Sequence, residues 1–425
     1  MEICGFSSFL RKGAILEDYM EKKEKKKRWM LPRHKYVTAV ARIVLKPYTL
    51  WKFHIRIEKF RQQGNRAYLV LYNHQTSFDQ FFVGLSFKGP IYYMATEDIF
   101  SLGWISRLLR WAVAPIAIRK QTTDITAVMN CIKVAREGGT IAIAPEGNRT
   151  YSGRTVHMNP AIAALAKKMK LPIALYRIEG GYGVQPRWSD GTRRGKMRGY
   201  VSQVLAPEDY ANLSAEELCD RIAQGLYVDE NRDTGLYRSS KRAEYLERCF
   251  YVCPDCGLTE YESHGNEVTC RKCGKTVTYG EDKGLRGVGF EFPFDYAGQW
   301  YDYQQKYVNS LDVTQLTQEP VYRDTAKVSE VIVYQKKVPL RENCDIRLYG
   351  DRIVLDEGRE EELCLLFSEI TAAACLGKNK LNIYHGKQVY QFKGSKRFNA
   401  LKYVNLYFRY KNIMRGEPDD QFLGL

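Results

Sequence analysis

Short strand-like and helix-like segments alternate between residues 67 and 205, and this alternation constrains the fold more than any other feature. The strand-like runs are short, apolar and rich in β-branched and aromatic residues; they lie at 67–72, 91–95, 113–118, 141–144 and 173–178. Helix-like segments lie between them, at 123–137 and 160–170. Strands alternating with helices predict an α/β layer with parallel strands. In such sheets, functional groups gather just beyond the carboxyl ends of the strands.

The rest of the chain has a different pattern and predicts further domains. Residues 206–248 are predicted to be helical, and residues 285–310 are rich in aromatics, with a helix through Trp300 and Tyr303. From residue 326 the apolar positions alternate with period two, with a hairpin turn at 385–387 and a closing helix at 398–410. This pattern predicts a small antiparallel β domain with a C-terminal helix, resembling a pleckstrin-homology fold by topology.

The predicted organisation therefore has five parts. They are a basic amphipathic membrane-interface region (1–60), an α/β domain (61–248), a cysteine-containing ribbon (249–280), an aromatic-rich connecting segment (281–325) and the β domain (326–425).

Charge and cysteine usage limit the partners and the compartment. The 425 residues carry a formal net charge of +16, so an anionic partner is expected: nucleic acid, a lipid headgroup surface or a phosphorylated substrate. The 11 cysteines are mostly scattered and no export signal precedes them, which predicts a reducing cytoplasm. No stretch of 18 apolar residues occurs, so we expect a protein that lies on a membrane surface rather than crossing it.

Two N-terminal segments are candidates for contact with anionic lipid. Residues 21–28 (EKKEKKKR) are either a solvated helix face or a basic arm. In residues 36–59, apolar positions at helical spacing are interleaved with lysine and arginine, and Pro47 interrupts the run. Two short amphipathic helices are predicted, which either lie at a membrane interface or pack against the next domain.

Four cysteines form two CxxC pairs separated by 13 residues: Cys253, Cys256, Cys270 and Cys273. A glycine follows each pair, as the knuckle turns of a zinc ribbon require. Four thiolates at this spacing predict a closed, structural tetrahedral Zn²⁺ site. His264 lies between the pairs and is expected at the surface, because four cysteines already complete the site.

The first candidate for catalysis is the pair His74 and Asp79, in the sequence NHQTSFD directly after the strand at 67–72. If a helix starts near Thr76, its first turn places Asp79 against the imidazole. A carboxylate on one ring nitrogen fixes the tautomer, so the other nitrogen can take a proton from a substrate hydroxyl. By itself this spacing is also common as a helix cap.

A second block, APEGNRT, follows the strand at 141–144. It offers Glu146, Gly147 for close backbone approach, and Arg149 as a planar fork of donors for phosphate. Two weaker blocks are residues 113–119, which end in Arg119, and Leu171-Pro172-Ile173.

Together the four blocks resemble the glycerolipid acyltransferase family, whose best-known members make phosphatidate from 1-acylglycerol-3-phosphate. The resemblance covers roughly residues 36–225. Thr76 takes the place of the family's serine, Ala144 that of a phenylalanine, Asn148 that of a threonine and Val113 that of a glycine. These departures leave the acidic and basic residues intact.

The resemblance implies a membrane-surface O-acyltransferase in which His74 is the general base and Asp79 orients it. The acyl donor would be acyl-CoA or acyl-carrier protein, and the acceptor a lysophospholipid, with lysophosphatidate first. Arg149 and Arg119 would bind the acceptor's phosphate, and Thr76, Glu146 and Gly147 would shape that subsite. The implied location is the cytoplasmic face of the cell membrane, on an anionic lipid surface.

Two alternatives stay open. The enzyme could instead acylate glycerol 3-phosphate or another lysophospholipid. The chain could also be a non-enzymatic zinc-ribbon protein that binds nucleic acid or serves as a membrane scaffold. Nucleic-acid binding leaves NHQTSFD and APEGNRT unexplained, so we expect no nucleic-acid partner. The scaffold would be a degenerate acyltransferase, and the intact His74, Asp79, Glu146 and Arg149 argue against it.

Overall fold

The computed structural model describes residues 28–96, 99–101, 103–118, 124–155, 158–231, 234–332, 336–417 and 422–424. Most of the basic run at 21–28 and Arg119 fall outside these ranges, so the predictions made for them stay predictions.

The first part of the chain forms a seven-stranded sheet with helices on its faces. Its strands are β1 (Ile55–Ile57), β2 (Leu69–Tyr72), β3 (Ile91–Thr96), β4 (Ile116–Ile118), β5 (Thr140–Ile143), β6 (Ile173–Glu179) and β7 (Met197–Leu205). Its helices are α1 (Pro32–Phe53), α2 (Asp79–Ser86), α3 (Trp104–Val113), α4 (Ile125–Arg136), α5 (Ala161–Met169), α6 (Gly181–Val184), α7 (Pro207–Tyr210) and α8 (Ala215–Leu226).

The strand order is β1-β7-β6-β2-β5-β3-β4, and β2 to β6 run parallel, as predicted. The parallel prediction fails at one edge, because β7 is antiparallel to β6. The central strands β2 and β5 are buried along their whole length, as expected for strands covered on both faces. The exits of β2 and β5 therefore lie side by side at one edge of the sheet.

Three local predictions were wrong. Residues 32–53 form one helix that continues through Pro47, rather than two short helices. Tertiary contacts hold α1 on both sides of the proline: Arg42 donates to the carbonyl oxygens of Gly84 and Phe87, and Phe53 packs on neighbouring phenylalanines. Val113 ends a helix instead of opening a strand, and the chain after Leu226 is largely irregular rather than helical.

The ribbon follows, with β8 (Val252–Cys253), β9 (Gly257–Leu258), β10 (Tyr261–His264), β11 (Glu267–Cys270), β12 (Thr276–Tyr279) and β13 (Leu285–Gly287). Strands β10 to β13 form an antiparallel sheet. Helix α9 (Ala297–Ser310) then packs its Trp300 flat on Phe250, with ring centroids 3.9 Å apart. The predicted helix through Trp300 and Tyr303 is confirmed.

The last part is a curled antiparallel sheet closed by a helix. Its strands are β14 (Tyr322–Glu330), β15 (Val338–Leu348), β16 (Arg352–Leu355), β17 (Leu363–Leu366), β18 (Ile370–Leu376), β19 (Lys380–His385) and β20 (Gln388–Gly394), in the order β17-β16-β15-β14-β20-β19-β18. Helix α10 (Leu401–Met414) packs against β18. The antiparallel fold with a terminal helix is confirmed, and the pleckstrin-homology likeness stays a topological prediction.

One hydrophobic core joins the first part of the chain to the ribbon and the β domain. Tyr151 and Trp188 come from loops, and Tyr182 from α6, all beyond the exits of β5 and β6; they are buried in the same cluster as Cys249 and Phe398. The C-terminal half of the chain is therefore packed directly against the edge of the sheet where the candidate site lies.

Candidate active site

His74 and Asp79 meet as the sequence predicts. His74 lies in the loop after β2, and Asp79 is the first residue of α2. The imidazole Nδ1 is 2.7 Å from Asp79 Oδ2, and the Asp79 side chain is fully buried while that of His74 is 24% exposed. The imidazole is thus oriented by a carboxylate and remains reachable, which is the geometry of a general base.

Asp79 is held by several donors besides His74. Its carboxylate accepts hydrogen bonds from the backbone amides of Gln75, at 2.7 Å, and of Thr76, at 2.9 Å. The Thr76 hydroxyl donates to Asp79 Oδ1 at 2.6 Å and accepts from the Phe78 amide at 3.0 Å. Thr76 is fully buried, so this geometry favours a positioning role over the predicted contact with substrate.

Glu146 reaches the same loop from β5. Its Oε1 accepts a hydrogen bond from the backbone amide of His74 at 2.7 Å, and the Thr150 amide donates to the His74 carbonyl at 3.2 Å. Gly147 has a φ of 64°, in the left-handed region, and nothing lies within 4 Å of the position of an added Cβ. The glycine is therefore explained by the turn, not by close approach of another group.

Arg149 is buried beside these residues. Its side chain is 9% exposed, Nη1 has no hydrogen-bond partner, and Nη2 is 3.5 Å from the Arg187 carbonyl oxygen. Burial, and then repulsion by the Arg187 guanidinium, lower the pKa of Arg149 to about 10. A buried guanidinium with an unused N–H group is suited to bind an oxyanion.

Several residues that shape the site were not predicted from the sequence. Asn73 exchanges hydrogen bonds with the backbone of Ile178, at 2.7 and 2.8 Å, and so joins the exit of β2 to β6. Gln185 accepts from the amide and the hydroxyl of Ser77. Arg187 is 3% exposed and lies over the Tyr151 ring at 4.2 Å. Asn73 opens the NHQTSFD block, whereas no local pattern marks Gln185 or Arg187.

The four cysteines of the ribbon come together as predicted. Their sulfur atoms all lie within 4.8 Å of one another, and Cys253 Sγ is 3.9 Å from Cys273 Sγ. Zn–S bonds of about 2.3 Å in a tetrahedron put neighbouring sulfurs about 3.8 Å apart, so the donor set fits a metal ion of this kind. Gly257 and Gly274, which follow the two CxxC pairs, both have positive φ, as knuckle turns require. His264 is exposed.

An apolar surface lies on α1 and α3, which pack against each other. Its side chains are between 39% and 75% exposed; they are Tyr36, Val40, Ile43, Val44, Leu50, Trp51, Trp104, Ile105, Leu108 and Trp111. Tyr48 of α1 contacts Phe78, with ring centroids 5.8 Å apart, so this surface adjoins the His74 loop. Of the described helices, none combines the length and apolar character needed to span a bilayer.

Comparison with known proteins agrees with this geometry. The acyltransferase family profile matches residues 52–178. A curated relative, a chloroplastic 1-acyl-sn-glycerol-3-phosphate acyltransferase from Brassica napus, is 22% identical over 158 residues, which is 36% of this chain and 45% of the relative. The chain thus spans less than half the length of that relative.

A solved structure is also similar, the 1-acyl-sn-glycerophosphate acyltransferase PlsC from Thermotoga maritima. It is 20% identical over 51% of this chain and 85% of its own, with a TM-score of 0.37. The family profile contains both strand exits that carry His74 and Arg149. The chain therefore carries an acyltransferase domain over residues 52–178.

Proposed function

We propose that this protein transfers a fatty acyl group to the free hydroxyl of 1-acylglycerol-3-phosphate, giving phosphatidate. One observation carries the proposal: an imidazole oriented by a buried carboxylate, at 2.7 Å, shares a loop framework with a buried arginine that has an unused donor. A proton acceptor next to an oxyanion site suits an acceptor that has a hydroxyl and a phosphate.

In the proposed reaction, Asp79 keeps the imidazole proton on Nδ1, so His74 uses Nε2 to remove the proton from the acceptor hydroxyl. The resulting oxygen attacks the thioester carbonyl carbon of acyl-CoA or acyl-carrier protein. The tetrahedral intermediate then expels the thiolate, which takes the proton from the imidazolium. An ester bond forms, a thioester bond breaks, and no acyl-enzyme is required.

The phosphate of the acceptor would bind Arg149, with Gly147 shaping the turn and Glu146 holding the His74 loop. Arg119 keeps its proposed part in phosphate binding on the resemblance alone. Charge-assisted hydrogen bonds from a guanidinium fork suit a phosphate, and the buried setting strengthens them.

We place the reaction at an anionic membrane surface on the cytoplasmic side. The exposed apolar surface of α1 and α3 supports this, because its tryptophans and aliphatic side chains are interleaved with exposed cations at Arg33, Lys35, Lys46, Arg107 and Arg110. Aromatic and cationic side chains are typical of the membrane interface. The alternative, packing on the next domain, applies to Phe53 but not to the side chains exposed in the described part of the chain.

The cysteine quartet is proposed to hold a structural Zn²⁺. A four-thiolate set leaves no open coordination position, so the ion would stabilise the ribbon and take no part in acyl transfer. Because the ribbon shares a core with Tyr151 and Trp188, its stability bears on the site.

The test is acyl transfer from labelled acyl-CoA to lysophosphatidate on liposomes. Wild type, His74→Ala and the control His264→Ala, which removes an exposed imidazole in the ribbon, are compared. We expect His74→Ala to lose at least about a hundredfold in kcat, the minimum for removal of a general base, while keeping its Tm. Equal activity of His74→Ala and wild type contradicts the proposed mechanism.

Glycerol 3-phosphate, other lysophospholipids and acyl-carrier-protein donors are assayed in parallel. Activity only with one of these assigns the alternative acceptor or donor. Inactivity with all of them, in a folded protein bound to liposomes, contradicts the proposed function and leaves the membrane-scaffold alternative.

A further inference from the structure

The β18–β19 hairpin of the C-terminal domain touches the loop that follows β6. Arg187 Nη2 donates to the carbonyl oxygen of Cys375, at the end of β18, at 3.4 Å. Three residues later, in the hairpin turn, Lys378 Nζ lies 3.1 Å from Asp190 Oδ1. Arg187 Nη1 donates to the Arg149 carbonyl oxygen at 2.9 Å. A continuous set of contacts thus leads from Arg149 to the hairpin.

The contact region between the hairpin and the site, formed by Arg149, Arg187, Asp190, Arg248 and Lys378, holds more positive than negative charge. Asp190 is shared by two cations, Lys378 and Arg248, whose Nη1 is 2.8 Å from the same carboxylate oxygen. Among the described residues, no carboxylate forms an ion pair with Arg149 or Arg187, although both are at least nine-tenths buried. Asp79 also interacts electrostatically with Arg149, but its carboxylate is already bound to His74.

The cations repel one another. Burial lowers the pKa of Lys378, and Asp190 offsets part of this, while Arg149 and Arg248 lower the pKa further. By geometry, Lys378 contacts Asp190, three residues after Arg187, and Arg187 contacts Arg149. Buried charges are normally paired, and Arg149 Nη1 and Arg187 Nε are both without a hydrogen-bond partner. A bound anion would accept hydrogen bonds from these two nitrogens and offset the excess positive charge.

We propose that Lys378, supplied by the C-terminal β domain, joins Arg149 and Arg187 to bind the terminal phosphate of the acceptor. This inference rests on the proposed function and deepens it. A phosphomonoester carries close to two negative charges near neutral pH and three terminal oxygens, which matches three cations. A phosphodiester headgroup has one charge and fewer free oxygens, so it would use this subsite less well.

The shared hydrophobic core holds the C-terminal domain against the site, and Lys378 gives this packing a role in binding the acceptor. The family match ends at residue 178, so Lys378 and Arg187 both lie outside it. On binding, the ammonium group would exchange its contact with Asp190 for the phosphate, and Asp190 would keep its two contacts with Arg248, at 2.8 and 3.4 Å.

The test uses full-length Lys378→Met, which keeps the aliphatic stem and removes the charge, with Lys378→Arg as the conservative variant. Lys387→Met is the matched control, because Lys387 is an exposed lysine in the β19–β20 hairpin turn of the same domain. Acylation of lysophosphatidate and of lysophosphatidylglycerol, a phosphodiester, is measured on the same liposomes.

We expect Lys378→Met to raise the KM for lysophosphatidate about tenfold to a hundredfold, as for loss of one charge-assisted hydrogen bond, with kcat within about twofold. Lysophosphatidylglycerol should be affected less, Lys378→Arg should recover part of the loss, and Lys387→Met should equal wild type. An unchanged KM for lysophosphatidate, or equal losses on both acceptors with a lowered Tm, overturns the inference in favour of a docking role.

A binding measurement separates this inference from the proposed function. Stabilisation of each variant against heat is followed with glycerol 3-phosphate and with inorganic phosphate. If wild type acylates no acceptor but binds glycerol 3-phosphate, and Lys378→Met does not, the subsite stands without the reaction. If wild type acylates lysophosphatidate and Lys378→Met matches it in both assays, the reaction stands without the subsite. Binding of neither compound by wild type overturns the subsite.

Discussion

Replacing Thr76 by valine removes one oxygen atom from a buried site and leaves the side-chain shape nearly unchanged. Two hydrogen bonds disappear: the 2.6 Å bond to Asp79 Oδ1 and the 3.0 Å bond from the Phe78 amide. A hydrogen bond to a charged group contributes about 1.5–3 kcal/mol and a backbone amide left unsatisfied costs about 1–3 kcal/mol. We therefore expect the free energy of unfolding to fall by about 3 kcal/mol.

The same change should affect catalysis through Asp79. With one of its donors gone, the carboxylate holds His74 less firmly, so kcat should fall by about tenfold to a hundredfold while the KM values stay within about twofold. Urea denaturation and acyl-transfer kinetics of Thr76→Val, Thr76→Ser and wild type measure both quantities. Thr76→Ser keeps the hydroxyl and the residue type of the family motif, so it should lie close to wild type.

Two results would refute this reasoning. A raised KM for the acceptor with unchanged kcat would return Thr76 to the substrate-binding role first predicted from the sequence. A loss of stability below about 1 kcal/mol would mean that the remaining donors to Asp79, the amides of Gln75 and Thr76, already satisfy it.

Two further predictions concern the ribbon and the apolar surface. Elemental analysis should find one zinc ion per chain. The variant Cys270→Ser should lose the zinc ion, and its Tm should fall by more than about 5 °C. The control Cys364→Ser, which changes an exposed cysteine of the β domain, should keep both the zinc ion and the Tm. Full zinc content in Cys270→Ser would contradict the site. Trp51→Glu and Trp104→Glu should each lower the affinity for anionic vesicles, measured by co-sedimentation, at least about tenfold, because each puts a carboxylate into the interface. The control Tyr227→Glu, which changes an exposed aromatic residue elsewhere, should leave this affinity unchanged. Equal sedimentation of all three variants would count against the surface.

Interactions between residues near in sequence could be predicted well. His74 and Asp79 are five residues apart across a strand exit and a helix start, so local geometry brings them within 2.7 Å. The two CxxC pairs are likewise joined by one short hairpin, which brings the four sulfurs together. In both cases the relevant backbone is a single turn or hairpin, and few alternatives exist.

Pro47 shows where a local rule gives way. A proline inside a helix removes a hydrogen bond and favours a break, which predicted two short helices. Contacts of Arg42 with Gly84 of α2, and of Phe53 with Phe78 just before α2, hold the helix in one piece. Tertiary packing outweighs a local cost of this size.

The sequence by itself determined the strand and helix alternation, the His74–Asp79 pair and the cysteine quartet, because each depends on residues close together along the chain. Only the tertiary structure decided that Glu146 accepts a hydrogen bond from the His74 amide, 72 residues away, and that Arg187 is buried. It also decided that Lys378 contacts Asp190, 188 residues away in the sequence, beside the site. An arginine in a basic stretch and a lysine in a hairpin turn look solvated in sequence. Burial and charge excess arise only when distant segments are packed into one core.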